Sequence, residues 1–206
     1  MIIPAILEKD WSEIERKLEI CREFANTIHI DFIDGKFAPP TTFMDFEKFK
    51  PYSEYFLLEA HLMVEEPVNY LASLSRAGFK RFLGHVEKMS DQIDFIAKGE
   101  QLGAVGLALD LQSSIDAIKV SLNDLDQILL MSVKAGASGQ KFDESVLIKV
   151  KELVDKSFEN IEIDGGINNE TLGISKINGA NIFCVNSYLF SSPSVEDQYR
   201  KLQAFI

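Results

Sequence analysis

Short apolar runs alternate with charged stretches along the whole chain, and the interval between apolar positions changes from one kind of stretch to the next. IIPAIL, residues 2–7, is a continuous apolar run, whereas Trp11, Ile14, Leu18 and Cys21 recur at the three- and four-residue intervals of one helix face. The pair predicts a strand followed by a helix. The same alternation repeats in TIHID (27–31), which leads into a polar loop with Gly35, Pro39 and Pro40 and a short helix over 43–50. FLLEAHLMV (56–64) is a third strand, and the helix after Pro67 is terminated by Gly78. RFLGHV (81–86) pairs with a helix over 90–101, AVGLAL (104–109) with a helix from about Ile115, and QILLMSV (127–133) with a helix over 143–156. IEID (161–164) with a helix over 169–178, and NIFCV (181–185) with one over 195–205, complete eight units. No linker or change of composition interrupts them, so residues 1–206 are expected to form a single domain.

Apolar strands that alternate with helices imply a parallel sheet covered on both faces. Eight units predict a closed α/β architecture, the (β/α)8 TIM barrel, and 206 residues place it near the lower end of that fold's size range. A doubly wound sheet ranks below it, because the first strand-to-helix turn carries no GxGxxG.

A net charge of -11 argues against a nucleic-acid partner, since phosphate-backbone affinity comes from lysines and arginines. The N-terminus MIIPAILEKDW has no basic leader and meets charge by Glu8, which predicts neither a signal peptide nor a membrane span and points to a cytoplasmic protein. Cys21 and Cys184 stand far apart without CxxC or CxxH spacing, and are expected to be buried, reduced thiols.

In a barrel the chemistry gathers at the C-terminal ends of the strands. Those ends carry His29 and Asp31, His61, His85 and Glu87, Met131 and Ser132, and Asp164, and so include all three histidines of the chain. His29 and Asp31, two apart, point to one side of their strand. One HxD pair is weak, because a strand-end histidine is more often simply hydrogen-bonded in the core. Three of three histidines at such ends make coincidence the poorer reading. Imidazoles and carboxylates together suit a divalent metal such as Zn2+, Fe2+, Mn2+ or Co2+, with no basis for choosing among them.

The segments PAILEKDW, HIDFIDGKF, HLMVEEP, HVE, LLMSV, GQKF and DGGIN, in this order on these strands, resemble the ribulose-phosphate 3-epimerase family nearly end to end. The resemblance implies a ribulose-phosphate-binding barrel with a metal held by His29, Asp31, His61 and Asp164, and with Asp31 and Asp164 as the two catalytic proton-transfer groups. Met63 and Met131 match methionines that line the family's site, and Ile33 replaces a third. Phosphate is expected against Gly136, Ser138, Gly139, Gly165, Gly166, Asn186 and Ser187. Several positions depart from the pattern. Ala135, Ala137 and Ser138 replace Pro, Phe and Gly in the loop that closes over the substrate, and Asn186 replaces a glycine whose left-handed backbone asparagine tolerates better than most residues. Ala5 and Pro40 each lose a polar group near the sugar, at about 1 kcal/mol per lost neutral hydrogen bond.

The chemistry also makes sense in itself. Inverting a carbon beside a ketone removes a proton from one face and returns one to the other, so two acid/base groups are needed, with a cation to stabilise the enediolate charge. The expected activity is a metal-dependent isomerase, a sugar-phosphate 3-epimerase of the pentose phosphate pathway. It would interconvert D-ribulose 5-phosphate and D-xylulose 5-phosphate. A ketohexose 6-phosphate epimerase acting on allulose 6-phosphate is the nearest alternative. A barrel that binds metal or phosphosugar without turnover is the next, favoured by the altered loops and opposed by the intact aspartates. The resemblance leaves room for a homo-oligomer. Lys134 and Lys141 are read as solvated, Lys36 as ambiguous, Asp10 as a helix N-cap, and His85 as a hydrogen-bonded support for the site.

Overall fold

The computed structural model describes residues 1–136 and 139–206. Its strands β1 (Ile2–Ile6), β2 (Thr27–Ile33), β3 (Leu57–Met63), β4 (Phe79–His85), β5 (Ala104–Leu109), β6 (Gln127–Met131), β7 (Ile161–Asp164) and β8 (Ile182–Val185) pair in chain order, and β8 returns to β1 to close a parallel barrel. The α-helices are α1 (Trp11–Cys21), α2 (Leu71–Arg76), α3 (Gln92–Gly99), α4 (Val146–Asp155), α5 (Asn169–Ile177), α6 (Ser187–Phe190) and α7 (Val195–Gln203).

Strand alternation divides the interior into two cores. Outward residues such as Ile28, Ile30 and Phe32 on β2 join Ile14 and Leu18 of α1 in one apolar shell between barrel and helices. Inward residues fill the barrel itself, with Ile33, Met63, Leu83, Leu129 and Met131 toward its C-terminal end. Ile3, Ala5, Ile182 and Cys184 form a separate apolar patch on β1 and β8. Helix ends follow local chemistry. Asn168 and Thr171 form a capping box at the start of α5, the kind of feature that contributes about 1 kcal/mol. Gly78, at φ 93°, lies just past α2, as its sequence position suggests. Asp10 occupies the N-cap of α1 but its side chain makes no capping bond.

Two expected helices are absent as α-helix. The second unit has a 3-10 segment, Phe46–Glu54, because Pro51 within it has no N–H to continue an α ladder. After β5 the chain makes only 3-10 turns at Ile115–Ala117 and Leu122–Asp124; in the second, Ser121 accepts from the Asn123 N–H in a local bond that competes with helix. The four-residue α6 has no counterpart in the sequence periodicity. Cys21 and Cys184 are free and buried. Among the described residues no helix is long and apolar enough to cross a membrane.

Candidate active site

Strand register brings the expected ligands together. Asp31 on β2 pairs with His61 on β3, and Met131 on β6 pairs with Asp164 on β7, all facing inward at the C-terminal end of the barrel. One donor atom from each of His29, Asp31, His61 and Asp164 lies within 4.8 Å of the others. Asp31 Oδ1 is the hub, 2.7 Å from His61 Nδ1 and 3.3 Å from His29 Nε2.

The donor set fits a cation because the outer nitrogen of each ring is already engaged. His29 Nδ1 lies 2.6 Å from Glu59 Oε1, which leaves Nε2 for the centre. His61 Nε2 lies 2.9 Å from His85 Nε2, and His85 Nδ1 lies 2.8 Å from Glu87 Oε2. With Nδ1 of His85 donating to the Glu87 carboxylate, its Nε2 accepts from His61 Nε2–H, and His61 Nδ1 is left as a lone pair toward Asp31 and Asp164. Partners of this kind orient ligating histidines and raise their basicity. His85 is thus the supporting residue its position suggested.

The electrostatics separate the two aspartates. Burial works against ionising Asp31, yet the neighbouring His29 and His61 overcome it and hold its carboxyl well below the usual range. For Asp164 the same histidines are outweighed: burial, reinforced by the charge of Asp31, pushes it up to about 7. Burial disfavours a charged His29 ring, but acidic groups against it, Asp31 among them, raise its pKa well above the ordinary value. A cation arriving at Nε2 would therefore displace a proton. Burial also opposes charge on Glu87, but His85 holds it down at about 2, while burial and the charge of His61 lower His85 itself.

Beneath this layer lies a polar group that the strand-end reading missed. Glu59 and Glu162 are fully buried inside the barrel with His29 and Cys184 between them. Arg81 donates to Glu59 Oε2 at 2.7 Å, Gln127 Nε2 donates to both glutamates, and the Cys184 thiol donates to Glu162 Oε1 at 2.8 Å. Burial disfavours a charged Glu59, but His29 and Arg81 bring it down to about 2; burial and the charge of Glu59 raise Glu162. A sequence signal existed: Glu59 and Glu162 each stand two residues before a candidate ligand, on the same inward side of their strands.

Above the carboxylates a pocket opens that is lined by Asp31, Asp164, Met63, Met131 and Leu7. Gly136, Gly139, Gly165, Gly166, Asn186 and Ser187 also line it. Ile33 instead borders the adjoining groove, with Ala38 and Pro40. Two glycines are required by crowding: a Cβ at Gly165 would lie 2.5 Å from Val133 Cγ2, and one at Gly166 2.6 Å from the Phe142 nitrogen. Both have positive φ. Asn186 does not preserve a left-handed glycine conformation; its φ is -108°, so its side chain and not its backbone freedom distinguishes it. Ala137 and Ser138 lie outside the described residues. Lys134 and Lys141 are exposed, and exposed Lys36 pairs with Glu65 at 3.0 Å. Asp34, also absent from the sequence-based set, anchors the loop after β2 by accepting from the N–H groups of Lys36, Phe37 and Glu65.

Comparison with known proteins agrees with the geometry. The model of the ribulose-phosphate 3 epimerase family matches residues 1–190. The chain is 32% identical to ribulose-phosphate 3-epimerase of Bacillus subtilis over 199 residues, covering 92% of this chain and 91% of that protein. It is also 32% identical to the enzyme of the same name from Aquifex aeolicus over 215 residues, covering 100% and 96%. In fold it is similar to the structure of KGPDC from Streptococcus mutans, with a TM-score of 0.72, 11% identity and coverage of 99% and 95%. It is likewise similar to 3-hexulose-6-phosphate synthase from Salmonella typhimurium, with a TM-score of 0.70, 12% identity and coverage of 99% and 97%.

Proposed function

The chain belongs to the ribulose-phosphate 3-epimerase family, an isomerase family, and from that premise we propose that it interconverts D-ribulose 5-phosphate and D-xylulose 5-phosphate by proton transfer between Asp31 and Asp164. The observation that carries the reading is geometric: Asp31 and Asp164 line one pocket and, with His29 and His61, bring their donor atoms within 4.8 Å of one another. The electrostatics of the metal-free site, with Asp31 held down and Asp164 raised to about 7, accord with a division into base and acid.

Asp31, ionised, removes the proton from carbon 3, and protonated Asp164 returns one to the other face of the enediolate. The reverse reaction starts from the opposite protonation pair. Asp31 and Asp164 also belong to the cluster that would hold a divalent cation with His29 and His61. Such a cation would supply Lewis-acid stabilisation of the negative charge developing on the substrate oxygens. Met63 and Met131 give the reacting carbon an apolar wall and limit the water beside it. The phosphate would lie at the far wall of the pocket, against Gly165, Gly166, Asn186 and Ser187. Among the described residues no backbone acceptor pairs with the Gly166 N–H, which leaves that donor for the phosphate.

The test is proton exchange at carbon 3 in D2O, followed by NMR with Fe2+, Mn2+, Co2+ or Zn2+ supplied. Wild type is expected to exchange the proton and form xylulose 5-phosphate, while Asp31→Asn and Asp164→Asn each lose at least about a hundredfold in epimerisation, the usual scale of acid–base catalysis. Exchange on allulose 6-phosphate but not on the pentose would transfer the assignment to a hexose phosphate. Silence on both sugars with every metal would refute turnover.

A further inference from the structure

The chain has a buried lysine that the proton-transfer chemistry does not use. Lys17, on the inward face of α1, is only 6% exposed. Its ammonium is held from three directions: Glu8 Oε1 accepts from it at 2.7 Å, Asn186 Oδ1 accepts at 3.2 Å, and the Phe190 ring lies 4.6 Å away. A lysine gives up hydration and rotamer freedom to be placed like this, and an exposed carboxylate would have partnered it without either cost. What burial adds is the contact with Asn186, which is 169 positions away in sequence and lines the pocket beside Ser187.

An asparagine amide has one accepting and one donating end, and a cation settles which end faces which way. Because Lys17 has only protons to offer, it selects Oδ1, and the planar group then turns its NH2 away from the lysine. Among the described residues nothing accepts from that NH2. A phosphate monoester, with acceptor oxygens and negative charge, matches what remains: an oriented donor backed by a buried cation that is itself shared with Glu8.

We propose that Lys17 is a positioning residue for the phosphate end of the substrate, fixing Asn186 so that its side-chain NH2 donates to the phosphate. The inference rests on the reading of this pocket as a sugar-phosphate site and adds to it a side-chain donor, together with the residue that aims it. Asn186 is a binding group because it touches the ligand. Lys17 acts through it.

The experiment measures binding of inorganic phosphate to the full-length protein by calorimetry, with and without bound metal, and in parallel KM and kcat for ribulose 5-phosphate. Asn186→Ala and Lys17→Met are each expected to weaken phosphate binding about tenfold, the scale of one hydrogen bond to a charged group. The double variant should be no weaker than either single one, and Lys17→Arg should recover most of the loss. KM should rise more than kcat falls, a split that general loosening of the barrel would not produce. If Lys17→Met fails to fold, Asn186→Ala decides alone. Phosphate binding by Asn186→Ala equal to that of wild type overturns the proposal and leaves the pocket assignment standing. Losses that multiply in the double variant also overturn it, since the two residues would then act separately. Wild type that binds no phosphate in either state overturns the pocket assignment and this inference together.

Discussion

Replacing Asp164 by Asn should make the metal-free protein more stable at alkaline pH, although it removes the proposed proton donor and one donor of the candidate metal cluster. Burial and the charge of Asp31 raise the Asp164 carboxyl from 3.8 to about 7 in the folded state. The folded protein therefore binds this proton more tightly than the unfolded chain does. The contribution is fully favourable below about pH 4 and is lost as pH rises through about 7. Above that, the folded state holds a second carboxylate beside Asp31, at a cost of about 1.4 kcal/mol for each unit of displacement. The displacement of roughly three units gives about 4 kcal/mol as an upper bound, because Asp164 keeps some exposure at the pocket floor, where water screens it. Asparagine has nearly the same shape and no charge, so the substitution removes the whole set of interactions behind the displacement, the opposing pull of His29 and His61 and the repulsion of Glu162 included. Urea denaturation in the presence of a chelator would show Asp164→Asn more stable than wild type at pH 8 by up to that amount, with the gap less than half as large at pH 5 and closed below about pH 4. Added metal should reverse the order at pH 8, since wild type gains a four-donor site and the variant a poorer one. A variant no more stable than wild type at pH 8 under chelation would refute the idea that the two aspartates are held in conflict.

Glu59→Gln should weaken metal binding about tenfold, measured by competition with a chromophoric chelator, because His29 loses the carboxylate that orients it. It should also cost about 3 kcal/mol in urea denaturation of the chelated protein, since the largely buried Arg81 loses its counter-charge; unchanged metal affinity would mean that His29 is held by packing alone. Gly166→Ala puts a Cβ 2.6 Å from the Phe142 backbone nitrogen at φ 59°, which backbone cannot readily yield. A loss of about 2 kcal/mol is expected in thermal or urea unfolding, larger than the left-handed conformation alone would cause; a neutral result would show the loop yielding at this point.

Much of the site was legible because strands expose a two-residue period. His29 with Asp31, and the strand-end positions of His61, His85 and Asp164, follow from local patterning once a barrel is assumed. The helices failed where local chemistry competed with periodicity, at Pro51 and around Ser121 and Asn123. Glu59 and Glu162 share the inward alternation of the ligands, yet alternation does not say what a residue meets across the barrel. The contacts that tie them into one group, Gln127 to Glu59, His29 to Glu162 and Cys184 to His29, join strands that are not sequence neighbours.

By itself, then, the sequence determined the eight strands and their parallel barrel, because their alternation with amphipathic stretches depends on spacing within a few residues, and it offered a set of strand-end donors from which the family resemblance picked four. The tertiary structure decided what those side chains become. Closure of β8 onto β1 brings Asn186 to Lys17, and the shared cavity sets Asp31 against Asp164. Orientation of a ring, the proton affinity of a carboxyl and the aim of an amide are properties of a surrounding volume, and that volume exists only after the chain has closed on itself.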